Sequence, residues 1–408
     1  MKLTAIVSAI AVLVFSVPAN AQGSVTIYGV LDEGINYVSN AQTASPNAPF
    51  GHAGAHEFVM TSGTMQFTRW GLKGSEDLGG GYRTIFTLEN GFDTGTGRFQ
   101  QGGDLWGRQG FFGVASPWGT VTLGRQYDTN IDVVDVMQAG IAGGGFADRP
   151  GDIDNLAGTN RVNNSIKFTS RSFRGLYVTG LYSFGGVAGS FGKDSIYSMG
   201  MSYSSGAATV AAGYLHVNNP NQSWFGNEAS GSATANNISA VTGVQTNPIY
   251  GAFASARTYQ VAVLAGQYVF GSLVVGANYS NISFQNLNSP ASGTLALTNP
   301  LGYTGTATFN SYSIFTRYFV SPGFELNASS VFLYGGRVNG KPGARYALFN
   351  VGADYFLSKR TDVYIMGAFE KASGVDSTGQ PAVASITLAG TSNVSTQGVM
   401  RVGLRIKF

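Results

Sequence analysis

Val399-Met400-Arg401-Val402-Gly403-Leu404-Arg405-Ile406-Lys407-Phe408 alternates residue by residue. Side chains of an extended chain point to opposite faces in turn, so Met400, Val402, Leu404, Ile406 and Phe408 share one face. Arg401, Gly403, Arg405 and Lys407 share the other. The stretch reads as one strand with an oily face and a wet, basic face. A half-buried strand of a water-soluble sheet alternates in the same way. The rest of the chain decides between the two.

Lys2, the apolar run Ala5–Val17 and the small residues of Pro18-Ala19-Asn20-Ala21 form an export-signal pattern. The run is too short to span a bilayer. Residues 1–21 are therefore expected to be a cleaved signal peptide, and residues 22–408 one domain. No later stretch is long and apolar enough for a spanning helix. The chain has no cysteine, which removes disulfides and thiolate metal sites. Charged residues are 11% of the chain, against about 25% in ordinary soluble domains. Glycine is abundant and aromatics reach 12%. Export, low charge and alternating strands together fit a barrel that spans a membrane as a closed sheet. The small net charge of +3 does not suggest nucleic acid.

Outward from the last strand, the same period recurs over 24–37, 64–76, 81–92, 106–116, 119–127, 163–173, 175–184 and 194–204. It continues over 207–216, 257–269, 271–280, 309–320, 323–334, 345–356, 361–369 and 398–408. This is a sixteen-stranded antiparallel transmembrane β-barrel, all-β. Short turns, expected on the periplasmic side, alternate with long extracellular loops at 38–63, 93–105, 128–162, 185–193, 217–256, 281–308, 335–344 and 370–397. Lipid offers no partner for a free backbone amide, so the sheet must close. A ring of this size leaves an aqueous lumen.

Several segments resemble the general porins of Gram-negative outer membranes, most of all the β-proteobacterial branch. They are Ser24–Asp32, Arg69–Gly79, Leu88–Phe92, Leu123–Tyr127, Arg161–Ile166, Leu357–Tyr364 and the final Phe408. The ordered set covers the mature chain. The resemblance implies a homotrimer and passive diffusion of ions and small hydrophilic solutes. It also implies a third loop, here about Asp128–Asn160, folded into the barrel. A substrate-specific channel on the same barrel is the alternative, although no regular inward ladder of aromatics is visible. The partners expected are outer-membrane lipid, lipopolysaccharide and the barrel-assembly machinery, the last through the C-terminal strand and Phe408.

Selectivity in a channel follows from pore width and the charges lining it. Alternation turns Arg69, Lys73, Arg161 and Lys167 to the lumen, and Arg108 and Arg125 flank the third loop. By resemblance, Arg69, Arg125 and Arg161 match the family's basic wall. The alternative for all six is a solvated residue on an ordinary strand. Asp128, Asp132 and Asp135 open the third loop and are candidates for its acidic side; for Asp132 and Asp135 the alternative is helix capping or local turn bonds. Basic candidates outnumber these acids, which favours a mild preference for anions. Gly143-Gly144-Gly145 is expected to bend the loop.

Nothing supports catalysis, a cofactor or a metal site. His52 and His56 have no helix to align them, and His216 stands alone on a strand. Tyr28, Tyr37, Trp70, Trp106, Trp118, Tyr279, Tyr318 and Tyr355 are expected in interfacial girdles. Glu33 falls on the apolar face of the first strand. It is expected against another subunit or a local distortion, because a carboxylate facing hydrocarbon is costly.

Overall fold

Alternation over long stretches leaves each strand with an apolar and a polar face, and a single sheet can satisfy both only by curling. The computed structural model describes residues 23–42, 53–227, 247–288, 299 and 301–408. The expected signal peptide and His52 lie outside them. The strands are β1 (Ser24–Gln42), β2 (Gly54–Ser62), β3 (Arg69–Gly79), β4 (Tyr82–Gly91), β5 (Gln109–Ser116) and β6 (Gly119–Gln126). Then come β7 (Val162–Ser170), β8 (Leu176–Ser183), β9 (Ile196–Ser205), β10 (Ala208–Asn218), β11 (Thr258–Phe270) and β12 (Leu273–Leu287). The last are β13 (Gly305–Ser321), β14 (Phe324–Gly335), β15 (Arg345–Phe356), β16 (Thr361–Ser373) and β17 (Thr396–Lys407).

Every neighbouring pair is antiparallel, and β17 returns to β1, with Val30 opposite Lys407 and Val38 opposite Val399. The other edge of β1 pairs with β3 over Ser24–Val30 and with β2 over Glu33–Gln42. β2 and β3 are thus two halves of one stave, and the ring is a closed barrel of sixteen staves. Phe408 completes the seam. Its amide donates to the Gly29 carbonyl (3.1 Å) and its carbonyl accepts from the Gly29 amide (3.0 Å). Its ring lies where a β-carbon on residue 29 would project, so only glycine fits there.

Burial is inverted relative to a water-soluble protein, in which charged residues are mostly exposed. On β17, Val402 is 61% exposed and Arg401 1%. On β1, Ile35 is exposed and Asp32 and Asn36 are buried. Apolar residues face outward and charged residues inward, as a hydrocarbon solvent requires. Tyr37, Trp118, Tyr318 and Tyr355 are exposed, and the rings of Trp70 and Trp106 meet at a tilt, with centroids 5.6 Å apart. Tyr28 does not join them: it lies on the face of Asp32, and its hydroxyl donates to Glu89 (3.0 Å).

The described residues of the stretch expected as loop 38–63 are largely strand, because β1 extends to Gln42 and β2 pairs with it. The stave breaks instead at 63–68, the last residue of that expected loop and the first five of the expected strand 64–76. Glu33 carries the hydroxyl of Thr94 from the β4–β5 connection, so part of its cover comes from its own chain.

Candidate functional site

The connection from β6 to β7 runs through the lumen. The Asp128 side chain accepts from the Asn130 amide (2.9 Å) and caps α1 (Thr129–Val134). A bend at Asp135–Met137 leads to α2 (Gly140–Gly143). Gly144 then turns the chain at φ 57°, as the triple glycine suggested.

One flank of this third loop is dry. Ile153 packs with Ile249, Phe253, Tyr259 and Phe284 in an apolar core within the barrel. Arg149 pairs with Asp154, and both are buried. Arg149 also reaches Asn278 and Ser311, and Asp154 accepts from the Ser280 hydroxyl (2.7 Å). Tyr259 donates to the Ile153 carbonyl (2.7 Å), and the Asn278 amide to the Met137 carbonyl (2.8 Å). The loop is therefore bolted to β11, β12 and β13.

The other flank is wet. It borders a cavity of about 530 Å³. Asp132, Asp135 and Asp148 reach it from the loop, and Arg69, Glu89 and Arg108 from the near wall. Arg317, Glu325, Asp354, Arg405 and Lys407 line it from β13–β17, the far stretch of the same wall, which joins the near stretch through β1, where Lys407 and Arg69 flank Val30. Arg108 Nε donates to Glu89 Oε1 (2.8 Å), and Arg69 Nε lies 3.3 Å from Glu89 Oε2. Glu89 thus holds both arginines. On the far wall Arg317 pairs with Glu325 (2.7 Å), and Arg405 with Asp354 (3.0 Å) and Asp362 (3.1 Å). Asp148 has neither an ion pair nor a side-chain hydrogen bond among the described residues. Burial, reinforced by Asp152, holds its carboxyl well above the usual range.

Arg69, Arg108, Asp132 and Asp135 therefore meet at one cavity. The remaining candidates sit elsewhere. Asp128 is wholly buried as a cap, and it also accepts from Asn155 (2.8 Å). Burial pushes its carboxyl up to about 6. Arg161 lies behind Tyr127, with its guanidinium 4.9 Å from the ring and Nη2 donating to the hydroxyl (3.0 Å). That hydroxyl also accepts from Arg108 Nη2 (2.7 Å). Arg125 turns away from the cavity. It bonds the carbonyls of Gly107 (2.8 Å) and Gly226 (2.7 Å), together with Asn163 and Asn227. Parity gives a residue's face but not its height, and Arg125 stands level with the loops. Lys167 is tied to Asp132 (2.7 Å) and to the Tyr127 carbonyl (2.8 Å). Lys73 is exposed, 5.3 Å from the Tyr28 ring.

Sequence reasoning placed Arg405 on a wet face without giving it a role, and it gave none to Glu89, Arg317, Glu325 or Asp354. Parity marks all of them, but nothing in sequence places the far wall opposite the loop. At the cavity itself the basic excess disappears: Glu89, Asp132, Asp135, Asp148, Glu325 and Asp354 face Arg69, Arg108, Arg317, Arg405 and Lys407. Among the described residues no group of three or more His, Asp or Glu side chains could hold a metal ion.

Residues 7–374 match the family described as Gram-negative porin. The chain is 29% identical to an outer membrane porin protein of Bordetella pertussis, over 88% of this chain and 91% of that one. Among solved structures it resembles an anion-selective porin from Comamonas acidovorans, with a TM-score of 0.68 and 20% identity. That likeness covers 95% of this chain and all of the other. It also resembles the trimer form of OmpT from Vibrio cholerae, with a TM-score of 0.61, 16% identity, and coverage of 95% and 99%.

Proposed function

The chain belongs to the Gram-negative porin family, and on that premise we propose that it forms a water-filled outer-membrane channel for passive passage of ions and small hydrophilic solutes. The observation that carries this is the inverted burial of a closed ring. Apolar side chains face out, and charged ones line a cavity between the third loop and the wall. The narrow passage is bounded by Asp132 and Asp135 on one side and Arg69 and Arg108 on the other. Opposed charges across a low-dielectric gap orient polar solutes rather than bind them. Tyr127 and Glu89 position the arginines, with Arg161 and Lys167 behind them. The far-wall pairs balance the charge, so selectivity is expected to be weak.

Residues 1–21 serve as the export signal. The assembled form is a homotrimer in outer-membrane lipid and lipopolysaccharide, and the trimer form of the Vibrio cholerae likeness supports that reading. The C-terminal strand, with Phe408 locked on Gly29, is the segment an assembly machinery would engage, because it closes the last open edge. The test is proteoliposome swelling with neutral sugars of increasing size. Swelling that falls off smoothly with solute size supports a general channel. Uptake of one solute class alone supports the substrate-specific alternative, and no swelling refutes both.

A further inference from the structure

The break between β2 and β3 is built into the lumen as firmly as the third loop is. Gly63 turns the chain inward at φ 79°, and its amide donates to the Asp32 carbonyl (2.7 Å). The Gln66 amide donates to Asp32 Oδ2 (2.6 Å), and the Thr68 hydroxyl to the Asp32 carbonyl (3.0 Å). Asp32 is itself fixed by Arg401 (3.3 Å) and by the Tyr364 hydroxyl, with both ends of that ion pair wholly buried. Arg401 also grips Thr61, through its hydroxyl (2.7 Å) and its carbonyl (3.0 Å). The turn therefore hangs on a buried post.

Its inner side meets both partners of the passage. The Thr64 carbonyl accepts from the Gly145 amide of the third loop (2.7 Å). A β-carbon at Gly144 would run into that carbonyl. The Phe67 carbonyl accepts from Arg69 Nη1 (3.0 Å), and the Phe67 ring lies 5.4 Å from the Arg108 guanidinium. Gln66 and Phe67 line the same cavity as the loop acids, and Gln66 Oε1 stands 3.5 Å from Arg405 Nη1.

We propose that the turn Gly63–Thr68 is a second constriction element, which holds the third-loop tip and the two wall arginines and narrows the passage with the uncharged Gln66. The inference rests on the porin reading above. A neutral constriction sets size without setting charge, because only lining charges discriminate ions by sign. Asp32 and Thr64 are positioning residues, and Gln66 is the one that solutes meet.

The chain has no cysteine, so a single introduced thiol is a clean probe. Gln66→Cys channels in a planar bilayer should lose current by about twofold or more on reaction with a bulky neutral maleimide. The zero-current potential in a salt gradient should stay where it was. Ser205→Cys, at the exposed β9–β10 turn, should be labelled without loss of current. Gln66→Trp should show the same reduction with no reagent. Failure of Gln66→Cys to react, or full labelling by mass with unchanged current, overturns the proposal, as does unreduced current in Gln66→Trp. If the unsubstituted protein forms no channels, the porin reading fails instead.

Discussion

The two flanks of the third loop differ in every physical respect. The dry flank buries Ile153 against Phe253, Tyr259 and Phe284 and seals the Arg149–Asp154 pair among serine and asparagine side chains of the wall. The wet flank turns Asp132, Asp135 and Asp148 to a cavity whose wall carries paired charges. A chain inside a pore has no close-packed core to settle on unless other segments supply one. Here residues 249–253 and the inward faces of β11–β13 do so. Rigidity on the dry side lets the wet side hold its carboxylates at fixed distances from Arg69 and Arg108.

Asp154→Ala should break this contrast most severely. It leaves Arg149 buried without its partner, at a cost of about 3–5 kcal/mol. The expected result is a lower melting temperature together with larger, noisier single-channel steps, as the loop leaves its seat. Melting and conductance that both match the parent would remove the anchor from the account.

Phe253→Ala sharpens the contrast, because it touches only the dry flank. A cavity at a packed aromatic costs about 3 kcal/mol. Thermal denaturation should register that loss while the zero-current potential stays put. A shifted potential would mean that the two flanks are not separable.

A smaller effect should follow pH. Burial, then the neighbouring Asp154, pushes the Asp152 carboxyl up to about 7 from an ordinary 3.8. The folded loop therefore keeps a proton that the unfolded chain releases near pH 4. That contribution is full below this point and fades as pH rises through about 7. Melting should fall between about pH 4 and pH 7 and level off above that, and Asp152→Asn should flatten the change. An equally steep fall in the variant would assign it to another group.

Lys73→Ser should do least. The side chain is exposed beside Tyr28, away from the cavity. Stability should stay within about 0.5 kcal/mol of the parent. A clear change in ion preference would place a charge filter at that end of the barrel.

The barrel itself was legible because hydrocarbon enforces alternation. β15, expected over 345–356, spans those residues, and β17 differs by two residues at its start. Legibility failed where the solvent changes. β12 and β13 run beyond expectation through Asn281, Ser283, Gln285, Thr306 and Thr308, whose outward faces are polar because they stand clear of the oily belt. The 63–68 break was missed because Met65 and Phe67 keep a strand's parity while the chain turns inward around Gly63. Within the site, parity named Arg69, and a place beside the third loop named Arg108 and the two loop acids. It misjudged Asp128, whose capping bond is a local alternative that its sequence position equally allows. It overrated Arg125, which stands at the height of Gly226 and Asn227. Height along the axis and the pairing of far wall with loop are three-dimensional facts with no linear signature.

The most direct test of a solute path along the wet flank is the zero-current potential across a dilute salt gradient for Arg108→Ser beside the parent. Losing Arg108 leaves Glu89 with a weaker counter-charge, so the potential should move towards cations. The shift should shrink at 1 M salt, where the Debye length is about 3 Å. An Arg108→Ser channel with the parent's potential and conductance in dilute salt would contradict the account.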